Sequence, residues 1–377
     1  MKYNYIVYGA GRQGTAAIYD LAKNCEAQHI NVIDPSQDAI VASFKKLSPL
    51  LGDEWLGDGG RIFYDKSIQD NHLGGFHAAL CCAPYSATFD IMKKITAAKV
   101  PFCDLGGNPE VVAQQKQYTE NRAGFVSDCG ISPGLSNIIA AHLIKSHGVD
   151  QLIVRCGGIP NKPSKKNPFH YKLTFDPQGL ISEYSGQVPF IMDGQLTFVE
   201  ALSIVDHFGE FEGSPTSNNS PGVVEWFLEQ GIKDYEYRTL RWPGHWVEVK
   251  KQWKGQGYLC GDAEKDTELL ELLKTDKKLQ YNSETDKDRL ILSVVGYKSG
   301  DIREQWGYSF DLHADPETKF SAMEMSTSWG ITLVAHTLAK RNEGFAGVGF
   351  TGFMTPEQFM DGGWVINQLR KRMENRA

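Results

Sequence analysis

The sequence lacks the marks of several protein classes. Its seven cysteines are odd in number and form no C-x-x-C pair, and its ten histidines form no H-x-x-x-H or His/Cys cluster. We therefore expect reduced thiols and no metal site. No apolar stretch is long enough to span a bilayer. The net charge of −7 argues against nucleic acid or an anionic membrane as a partner.

What remains is the composition of a globular protein. Of the 377 residues, 41% are hydrophobic and 23% are charged, and this length suits two domains. The first residues lead directly into a strand pattern without the n-region and h-region of a signal peptide. Together with reduced thiols, this favours a cytoplasmic location.

Near the N-terminus an apolar run leads into a glycine-rich turn and then a helix. The glycines have the spacing G-x-G-x-x-G. Gly9 allows a tight turn, Gly11 allows a pyrophosphate to approach the backbone, and Gly14 allows close packing of helix on strand. The helix N-terminus, with Arg12 and Gln13 in its first turn, offers unpaired amides to phosphates. The pattern predicts a dinucleotide-binding turn.

An acid at the end of the second strand indicates which dinucleotide binds. Asp34 lies twenty positions after Gly14, where the ribose hydroxyls of NAD are read. A carboxylate repels a 2′-phosphate, and the next residues, Pro35 to Gln37, include no arginine. NAD is therefore predicted rather than NADP. The alternative is a glycine turn that binds nothing, which the register of strand, helix and acid disfavours.

Strand and helix patterns alternate through the first third of the chain. Such alternation predicts an α/β, Rossmann-type doubly wound parallel sheet, here assigned to residues 1–133. Ligands of these sheets bind outside the carboxyl ends of the strands. Besides the glycine turn and Asp34, the residues expected at those ends are Ala83, Pro84, Tyr85, Asp104, Gly106 and Asp128.

The pattern then changes to extended runs with fewer helices. Residues 134–320 are expected to form a second α+β domain with a largely antiparallel sheet, and residues 321–377 to be mainly helical. Within the second domain we predict a strand at Trp246–Trp253, a turn at Asp176–Gly179 and a long loop at Gly213–Gly222. A loop of that length is usually functional or mobile.

Cations and aromatic residues are concentrated between Arg238 and Trp246. The guanidinium of Arg241 suits a substrate carboxylate, which it can hold by two parallel hydrogen bonds. The alternative is a strand arginine in a surface ion pair. His245 is a candidate proton carrier, although a single histidine beside a turn is more often structural.

Three residues at the strand ends are further candidates. Asp104 or Asp128 could hold a cationic amine or take its proton, and the alternative is helix capping. Tyr85 could stack near a nicotinamide or only pack. Hydride removal from a carbon that bears nitrogen needs a neutral amine, so a base within hydrogen-bond reach is required.

Several stretches together resemble the saccharopine dehydrogenase-like oxidoreductases, and the resemblance spans nearly the whole chain. The stretches are Gly9–Gly14, Ala83–Tyr85, Cys103–Asn108, Asp128–Asn137, Gly157–Pro160, Leu173–Ile181, Thr239–His245 and Met323–Glu357. The Gly157–Pro160 and Thr239–His245 stretches are far more specific than the glycine pattern.

The resemblance implies NAD-linked oxidative deamination of the lysine side-chain amine. The product would be the 6-semialdehyde, which cyclises to a piperideine carboxylate. It also implies a homodimer or homotetramer assembled through the second domain, with the C-terminal helices packing on the Rossmann domain. The residues that it implies at the substrate are Arg241 on the α-carboxylate, Asp128 and Thr239 as further contacts, and Asp104, Tyr85 and His245 near the reacting amine.

One stretch departs from the family pattern. Members carry a Ser-Gly-Gly-type turn where this chain has Ser217–Gly222. A related enzyme acting on saccharopine, carboxynorspermidine or another amino acid is therefore an alternative, as is an NAD-binding sensor without catalysis. A sugar oxidoreductase of similar layout would carry Glu-Lys-Pro where this chain reads Lys99-Val-Pro101.

Overall fold

The computed structural model describes residues 2–68, 70–118, 123–164, 166–217, 220, 222–299 and 301–375. The first strands are β1 Tyr3–Tyr8, β2 Ala27–Ile33, β3 Ile62–Asp65, β4 Ala78–Cys81, β5 Phe102–Asp104 and β6 Phe125–Val126. The helices among and after them are α1 Arg12–Asn24, α2 Gln37–Leu51, α3 Asp53–Leu56, α4 Tyr85–Ala97, α5 Pro109–Gln117 and α6 Leu135–His147.

The middle of the chain is richer in strands. These are β7 Gln151–Pro160, β8 Gln187–Met192, β9 Gln195–Glu200, β10 Asp206–Phe208, β11 Phe211–Pro215, β12 Asp234–Arg241, β13 Asp288–Lys298 and β14 Asp301–His313. The helices between them are α7 Pro177–Tyr184, α8 Val223–Glu229, α9 His245–Gln252 and α10 Ala263–Thr275. The chain ends with α11 Ala322–Arg341, β15 Phe353–Met354, α12 Pro356–Phe359 and α13 Gly362–Glu374.

The chain divides into two compact units. The first unit combines residues 1–138 with residues 324–377, and the second consists of residues 139–323. The C-terminal segment therefore belongs to the same unit as the N-terminal strands.

The first unit contains the predicted parallel sheet. Its strand order is β15-β6-β5-β4-β1-β2-β3, and all of its pairs are parallel. Every residue of β4 is buried, as expected for a strand covered on both faces. The two-residue strand β15 extends the sheet by pairing with β6, an addition too short to leave a sequence pattern. The doubly wound fold predicted from the sequence is confirmed.

The second unit contains a mixed sheet in the order β10-β11-β12-β7-β13-β14. Only β12 and β7 pair in parallel along this path, so the sheet is largely antiparallel, as predicted. The hairpin β8–β9 attaches through β12, and it reverses at Asp193 and Gly194, a turn that the sequence also indicates. One apolar cluster of this unit brings Tyr171, Tyr184 and Trp246 into the interior.

The predicted strand at Trp246–Trp253 is wrong, because this segment forms helix α9 and its end. Gly244 precedes the helix with a φ of +91°, a left-handed conformation that glycine adopts without strain. Trp246, Val249 and Trp253 are all buried, and their spacing of three and four residues places them on one helical face. The helical period is therefore present in the sequence of this segment.

The predicted turn at Asp176–Gly179 is the start of helix α7. The carboxylate of Asp176 accepts hydrogen bonds from the amides of Gln178 and Gly179, at 2.8 and 3.3 Å. Pro177 occupies the first helical position, where its missing N–H has no consequence. The capping residue and the proline are a helix start signal that also resembles a turn.

The long loop predicted at Gly213–Gly222 is shorter than expected. Residues 213–215 belong to strand β11, in which Gly213 pairs with Leu240 and Ser214 with Thr239. The prediction for residues 218, 219 and 221 lies outside the described residues. All seven cysteines of the chain are free thiols, and only Cys260 is exposed.

Candidate functional site

The three glycines of the N-terminal turn occupy different environments. Gly9 has a φ of +97°, and a β-carbon there would lie 2.9 Å from the backbone of Cys82. A β-carbon on Gly14 would lie 1.8 Å from the carbonyl oxygen of Gly9, so only glycine fits. Gly11 is exposed, and no heavy atom lies within 4 Å of its β-carbon position. The turn is therefore open to a ligand on the side of Gly11.

The first turn of helix α1 lies at this open side. The amide of Thr15 donates to the carbonyl of Gly11 at 2.8 Å, and Gly11, as the N-cap residue, has no side chain to cap the amides of the first turn. The positive end of the helix dipole and these amides suit a phosphate group. In the first turn, Arg12 Nε lies 2.6 Å from Glu324 Oε1, which fixes the guanidinium beside the turn.

Asp34 is connected directly to the glycine turn. Its Oδ2 atom accepts a hydrogen bond from the amide of Ala10 at 2.7 Å, and its Oδ1 atom accepts one from the amide of Ser36 at 2.8 Å. The residue keeps 9% of its surface exposed. A carboxylate has about four acceptor positions, so two donors leave capacity for ribose hydroxyls. The position and chemistry fit the sugar of a dinucleotide.

The predicted residues of strands β4 and β5 lie at the same edge of the sheet. Strand pairing aligns Tyr8 with Cys81 and Cys81 with Asp104, so the segments that follow these strands emerge side by side. Ala83 and Pro84 follow β4 in this position and lead into helix α4.

Asp104 is held inside the protein by several donors. Its carboxylate accepts hydrogen bonds from Ser127 Oγ and Gln115 Nε2, both at 2.6 Å, and from the amide of Gly106 at 2.9 Å. Burial raises the pKa of Asp104, and these hydrogen bonds oppose the rise. The side chain is 1% exposed. Its position therefore fixes the loop that follows β5.

Asp128 and Tyr85 border the same loop. Asp128 adopts a φ of +62° and accepts a hydrogen bond from the amide of Gly107 at 3.1 Å. A β-carbon on Gly106 would lie 1.9 Å from the Asp128 carboxylate. Tyr85 is half-buried, and its hydroxyl would lie 3.3 Å from a β-carbon on Gly107. Tyr85 is thus the most accessible of these side chains.

In the second unit, Arg241 lies within a cage of aromatic rings. The guanidinium carbon lies 4.7 Å from the ring centre of Tyr171, 5.6 Å from that of Tyr184 and 5.9 Å from that of Trp246. The side chain is 3% exposed. Such stacking stabilises a desolvated guanidinium, which stays charged at any pH that a protein tolerates. Arg241 is therefore a buried cation rather than part of a surface ion pair.

A chain of hydrogen bonds orients this guanidinium. Arg241 Nε donates to the Tyr184 hydroxyl at 2.8 Å, and that hydroxyl lies 2.9 Å from His245 Nε2. The carbonyl of Phe169 can only accept, so His245 Nδ1 carries the imidazole proton and donates to it at 2.7 Å, and Nε2 of the neutral ring accepts from the Tyr184 hydroxyl. Burial and the charge of Arg241 lower the pKa of His245 well below its usual value.

The neutral His245 is thus placed to position Tyr184 and Arg241. The hypothesis that His245 carries a proton in catalysis stays a prediction. In the structure, its two ring nitrogens form hydrogen bonds with Tyr184 and Phe169. Thr239 joins the same cluster through Glu183, whose Oε1 atom accepts a hydrogen bond from the Thr239 hydroxyl at 2.5 Å. The structure therefore brings the three predicted residues Arg241, His245 and Thr239 together.

Glu183 is the anionic member of this cluster and was not among the predicted site residues. Its Oε1 atom lies 3.7 Å from Arg241 Nη2. Burial raises the pKa of Glu183, whereas Arg241 and Thr239 lower it. Tyr171, Tyr184 and Glu324 were also missed. Of these residues, only Glu183 and Tyr184 had a sequence signal. They end helix α7, whose start at Asp176 and Pro177 was predicted as a turn.

The described residues contain no group of three or more His, Cys, Asp or Glu side chains arranged to hold a metal ion. Among the helices that the structure describes, none combines the length and apolarity needed to cross a bilayer.

Comparison with known proteins gives one family. The model of the saccharopine dehydrogenase C-terminal domain matches residues 130–376. The mitochondrial alpha-aminoadipic semialdehyde synthase of Bos taurus is 22% identical over 151 residues, which cover 36% of this chain and 16% of the bovine protein. The synthase of Arabidopsis thaliana is 24% identical over 92 residues, covering 23% of this chain and 9% of the plant protein. The chain thus matches only a small part of the length of these relatives.

A solved structure resembles the whole chain. Apo histidine-tagged saccharopine dehydrogenase (L-Glu forming) from Saccharomyces cerevisiae superposes with a TM-score of 0.67 and 13% sequence identity. The match covers 99% of this chain and 97% of the yeast chain. At this identity the likeness concerns the fold.

Proposed function

This chain belongs to the saccharopine dehydrogenase family, and from that premise we propose that it is an NAD-dependent amino-acid dehydrogenase acting on L-lysine. The enzyme oxidises the side-chain amine, as an L-lysine 6-dehydrogenase does. The imine formed is hydrolysed to the 6-semialdehyde and ammonia, and the semialdehyde cyclises to a piperideine carboxylate. The observation that supports an amino-acid substrate most directly is the buried, aromatic-lined guanidinium of Arg241.

The residues at the glycine turn fit NAD. The open side of Gly11 and the first-turn amides of helix α1 suit a pyrophosphate, and Asp34 suits the ribose hydroxyls. When bound, NAD accepts the hydride from the carbon that bears the amine. Glu324 holds Arg12 in an ion pair at the start of the helix, while Gln13, Ala83, Pro84 and Gly106 complete the proposed contacts.

The α-carboxylate of the substrate binds Arg241, and Thr239 and Asp128 are further proposed substrate contacts. Arg241 uses Nε for Tyr184 and Nη1 for the carbonyl of Leu240, which leaves Nη2 beyond hydrogen-bond distance of Glu183. An incoming carboxylate can therefore receive hydrogen bonds without displacing the guanidinium from its support.

The three groups proposed near the reacting amine differ in accessibility. Tyr85 is half-buried and can contact a ligand directly, whereas Asp104 and His245 are buried and already hydrogen-bonded to other groups of the protein. We assign a direct contact to Tyr85 and positioning roles to Asp104 and His245. Hydride transfer requires the neutral amine, so the reaction accelerates toward the pKa of a lysine amine, ~10.4.

A second candidate is a saccharopine-type or carboxynorspermidine-type reductase that forms or cleaves a secondary amine. The fold similarity to a yeast saccharopine dehydrogenase favours it, since that protein has a similar layout over the full length. Its substrate would still carry amino-acid ends suited to Arg241. A sensor that binds NAD without catalysis is the third reading.

A spectrophotometric screen tests these candidates. The purified chain is mixed with NAD and L-lysine at pH 9–10, and NADH is followed by its absorbance. NADH formation supports lysine oxidation. Turnover of saccharopine, or of an imine with NADH, without any lysine activity would assign the chain to the second candidate. Binding of NAD without turnover of a broad amine panel would favour the sensor.

We also propose a homodimer or homotetramer in the cytoplasm. The family resemblance supports assembly through the second domain, and the seven free thiols suit a reducing compartment. Light scattering of the purified chain measures its mass. A monomer at micromolar concentration would contradict the proposed assembly.

A further inference from the structure

Glu183 is an acid in an electrostatically unfavourable place. It belongs to the last turn of helix α7, where the negative end of the helix dipole disfavours a carboxylate. Its side chain is only 13% exposed. The Thr239 hydroxyl and the more distant Arg241 offset this cost only in part, since the net effect still raises the pKa of Glu183. A carboxylate kept in such a position calls for a further cationic partner.

The groups around Glu183 and Arg241 also have hydrogen-bonding capacity left for a ligand. Among the described residues, Thr239 and Arg241 both contact Glu183 through its Oε1 atom, and the buried hydroxyl of Tyr171 has no hydrogen-bond partner. Tyr171 packs its ring against the Arg241 guanidinium, and the charge of Glu183 acts on its hydroxyl. A cation, an anion and a neutral hydroxyl therefore all retain capacity within one aromatic enclosure.

These groups match the two charges of an amino acid. In an α-amino acid, a carboxylate oxygen and the ammonium nitrogen lie within about 3 Å of each other by standard bond lengths. The nearest atoms of Arg241 and Glu183 are 3.7 Å apart, too far for a direct hydrogen bond but close enough to serve adjacent charges. Aromatic walls exclude water, which strengthens both interactions.

We propose that Glu183 binds the α-ammonium group of the substrate while Arg241 binds its α-carboxylate. The pair makes the second unit a receptor for a free α-amino acid, whichever group at the far end of the side chain is oxidised. The proposal rests on the proposed function in one respect, namely that the substrate is an amino acid. It excludes substrates that lack either charge, including diamines and N-acylated amino acids.

Binding of L-norleucine tests the proposal without any turnover. Norleucine carries both α-groups but no side-chain amine, so it cannot be oxidised at that position. Calorimetry on the full chain, with and without NAD, compares it with hexanoate, which lacks the ammonium, and with 1-pentylamine, which lacks the carboxylate. Norleucine is expected to bind at least ~10-fold more tightly than either analogue. Equal or weaker binding of norleucine would overturn the proposal.

The variant Glu183→Gln keeps an acceptor for Thr239 and removes the charge. Its affinity for norleucine should fall at least ~10-fold, while hexanoate binds as well or better because the anion no longer meets Glu183. Glu236→Gln is the matched control, since Glu236 is a carboxylate paired with Arg238 at 2.8 Å on strand β12. This control should leave the binding of all three compounds unchanged.

The outcomes separate this inference from the proposed reaction. Norleucine binding that depends on Glu183, without NADH formation from lysine, would retain the receptor and reject lysine oxidation. If the chain oxidises lysine but Glu183→Gln weakens the binding of L-lysine and of 6-aminohexanoate equally, the proposed role of Glu183 is rejected and the proposed reaction is retained. A variant that does not fold leaves the comparison of compounds on the unaltered chain as the deciding measurement.

Discussion

Asp34 Oδ2 accepts a hydrogen bond from the amide of Ala10 at 2.7 Å, so the acid that follows β2 also holds the glycine turn that follows β1. The two sequence signals for a dinucleotide are therefore one physical unit. A change at Asp34 affects both ribose recognition and the shape of the turn, and experiments must separate the two effects.

Replacing Asp34 by arginine should reverse the preference between NAD and NADP. The variant loses the ribose acceptor and gains a cation for the 2′-phosphate, so the ratio of affinities should move toward NADP. Fluorescence titration with both cofactors measures it. Asp34→Asn is the matched control, because its oxygen can still accept from Ala10 while the charge is gone. An unchanged preference in Asp34→Arg would contradict the ribose role.

Two alanine substitutions in the glycine turn should have opposite consequences. Gly14→Ala places a β-carbon 1.8 Å from the Gly9 oxygen, and such overpacking should cost about 1–3 kcal/mol of stability or more. Gly11→Ala meets no atom within 4 Å, so stability should hold while NAD binds more weakly. Thermal unfolding and NAD titration of both variants check this. Undiminished NAD affinity in Gly11→Ala would mean that no phosphate approaches there.

Arg241→Ala should weaken the binding of the amino acid far more than the binding of NAD. Loss of a buried charged partner costs about 2 kcal/mol or more, so the KM for the amino acid found in the screen should rise by ~30-fold or more. The KM for NAD should change little. Steady-state kinetics with each substrate varied in turn gives both values.

The control for this variant is Arg289→Ala. Arg289 pairs with Asp311 and Glu210 through partly exposed side chains, and such pairs contribute little. Its kinetics should match those of the unaltered chain. A parallel rise in both Michaelis constants for Arg241→Ala would remove Arg241 from the substrate pocket.

His336 should make the protein less stable in acid. Burial and nearby Lys340 lower its pKa to about 4 from a usual value of 6.5, and Glu26 only partly opposes them. Its Nδ1 atom lies 3.0 Å from the Tyr5 hydroxyl, which donates to the carbonyl of Cys25. The imidazole must therefore donate to Tyr5 through Nδ1, which fixes the tautomer of the neutral ring.

Because the folded-state pKa is the lower one, the unfolded chain takes up more protons between pH 6.5 and pH 4. The contribution of His336 is fully present above pH 6.5, and it falls by up to about 3 kcal/mol as the pH drops toward 4. His336→Phe should flatten this part of the pH dependence. Urea unfolding of both proteins from pH 7 to pH 4 measures it, and identical slopes would contradict the assignment.

Much of the first unit could be predicted from the sequence because its signals are local. Gly9, Gly11 and Gly14 have the same conformational roles wherever a strand turns into a helix in this way. Asp34 is identified by its distance along the chain from Gly14, at the end of the second strand. Parallel strands covered on both faces also have a distinct apolar pattern. The doubly wound sheet and the NAD-type turn follow from these features.

Two segments of the second unit carry sequence signals that fit two different structures. Asp176 followed by Pro177 begins a helix and can equally mark a turn. The apolar residues after Gly244 are compatible with a strand, although Trp246, Val249 and Trp253 have a helical spacing. In both places the ambiguity is local, and only packing against the rest of the second unit decides between the two structures.

The sequence by itself determined the backbone that approaches a dinucleotide, since those constraints lie within a few residues of one another. It also singled out Arg241 as a cation among aromatic residues. Only the tertiary structure decided that Glu183, which lies on helix α7, stands beside Arg241 of strand β12. Burial and charge pairing between distant segments depend on how the chain packs, and no periodicity records them.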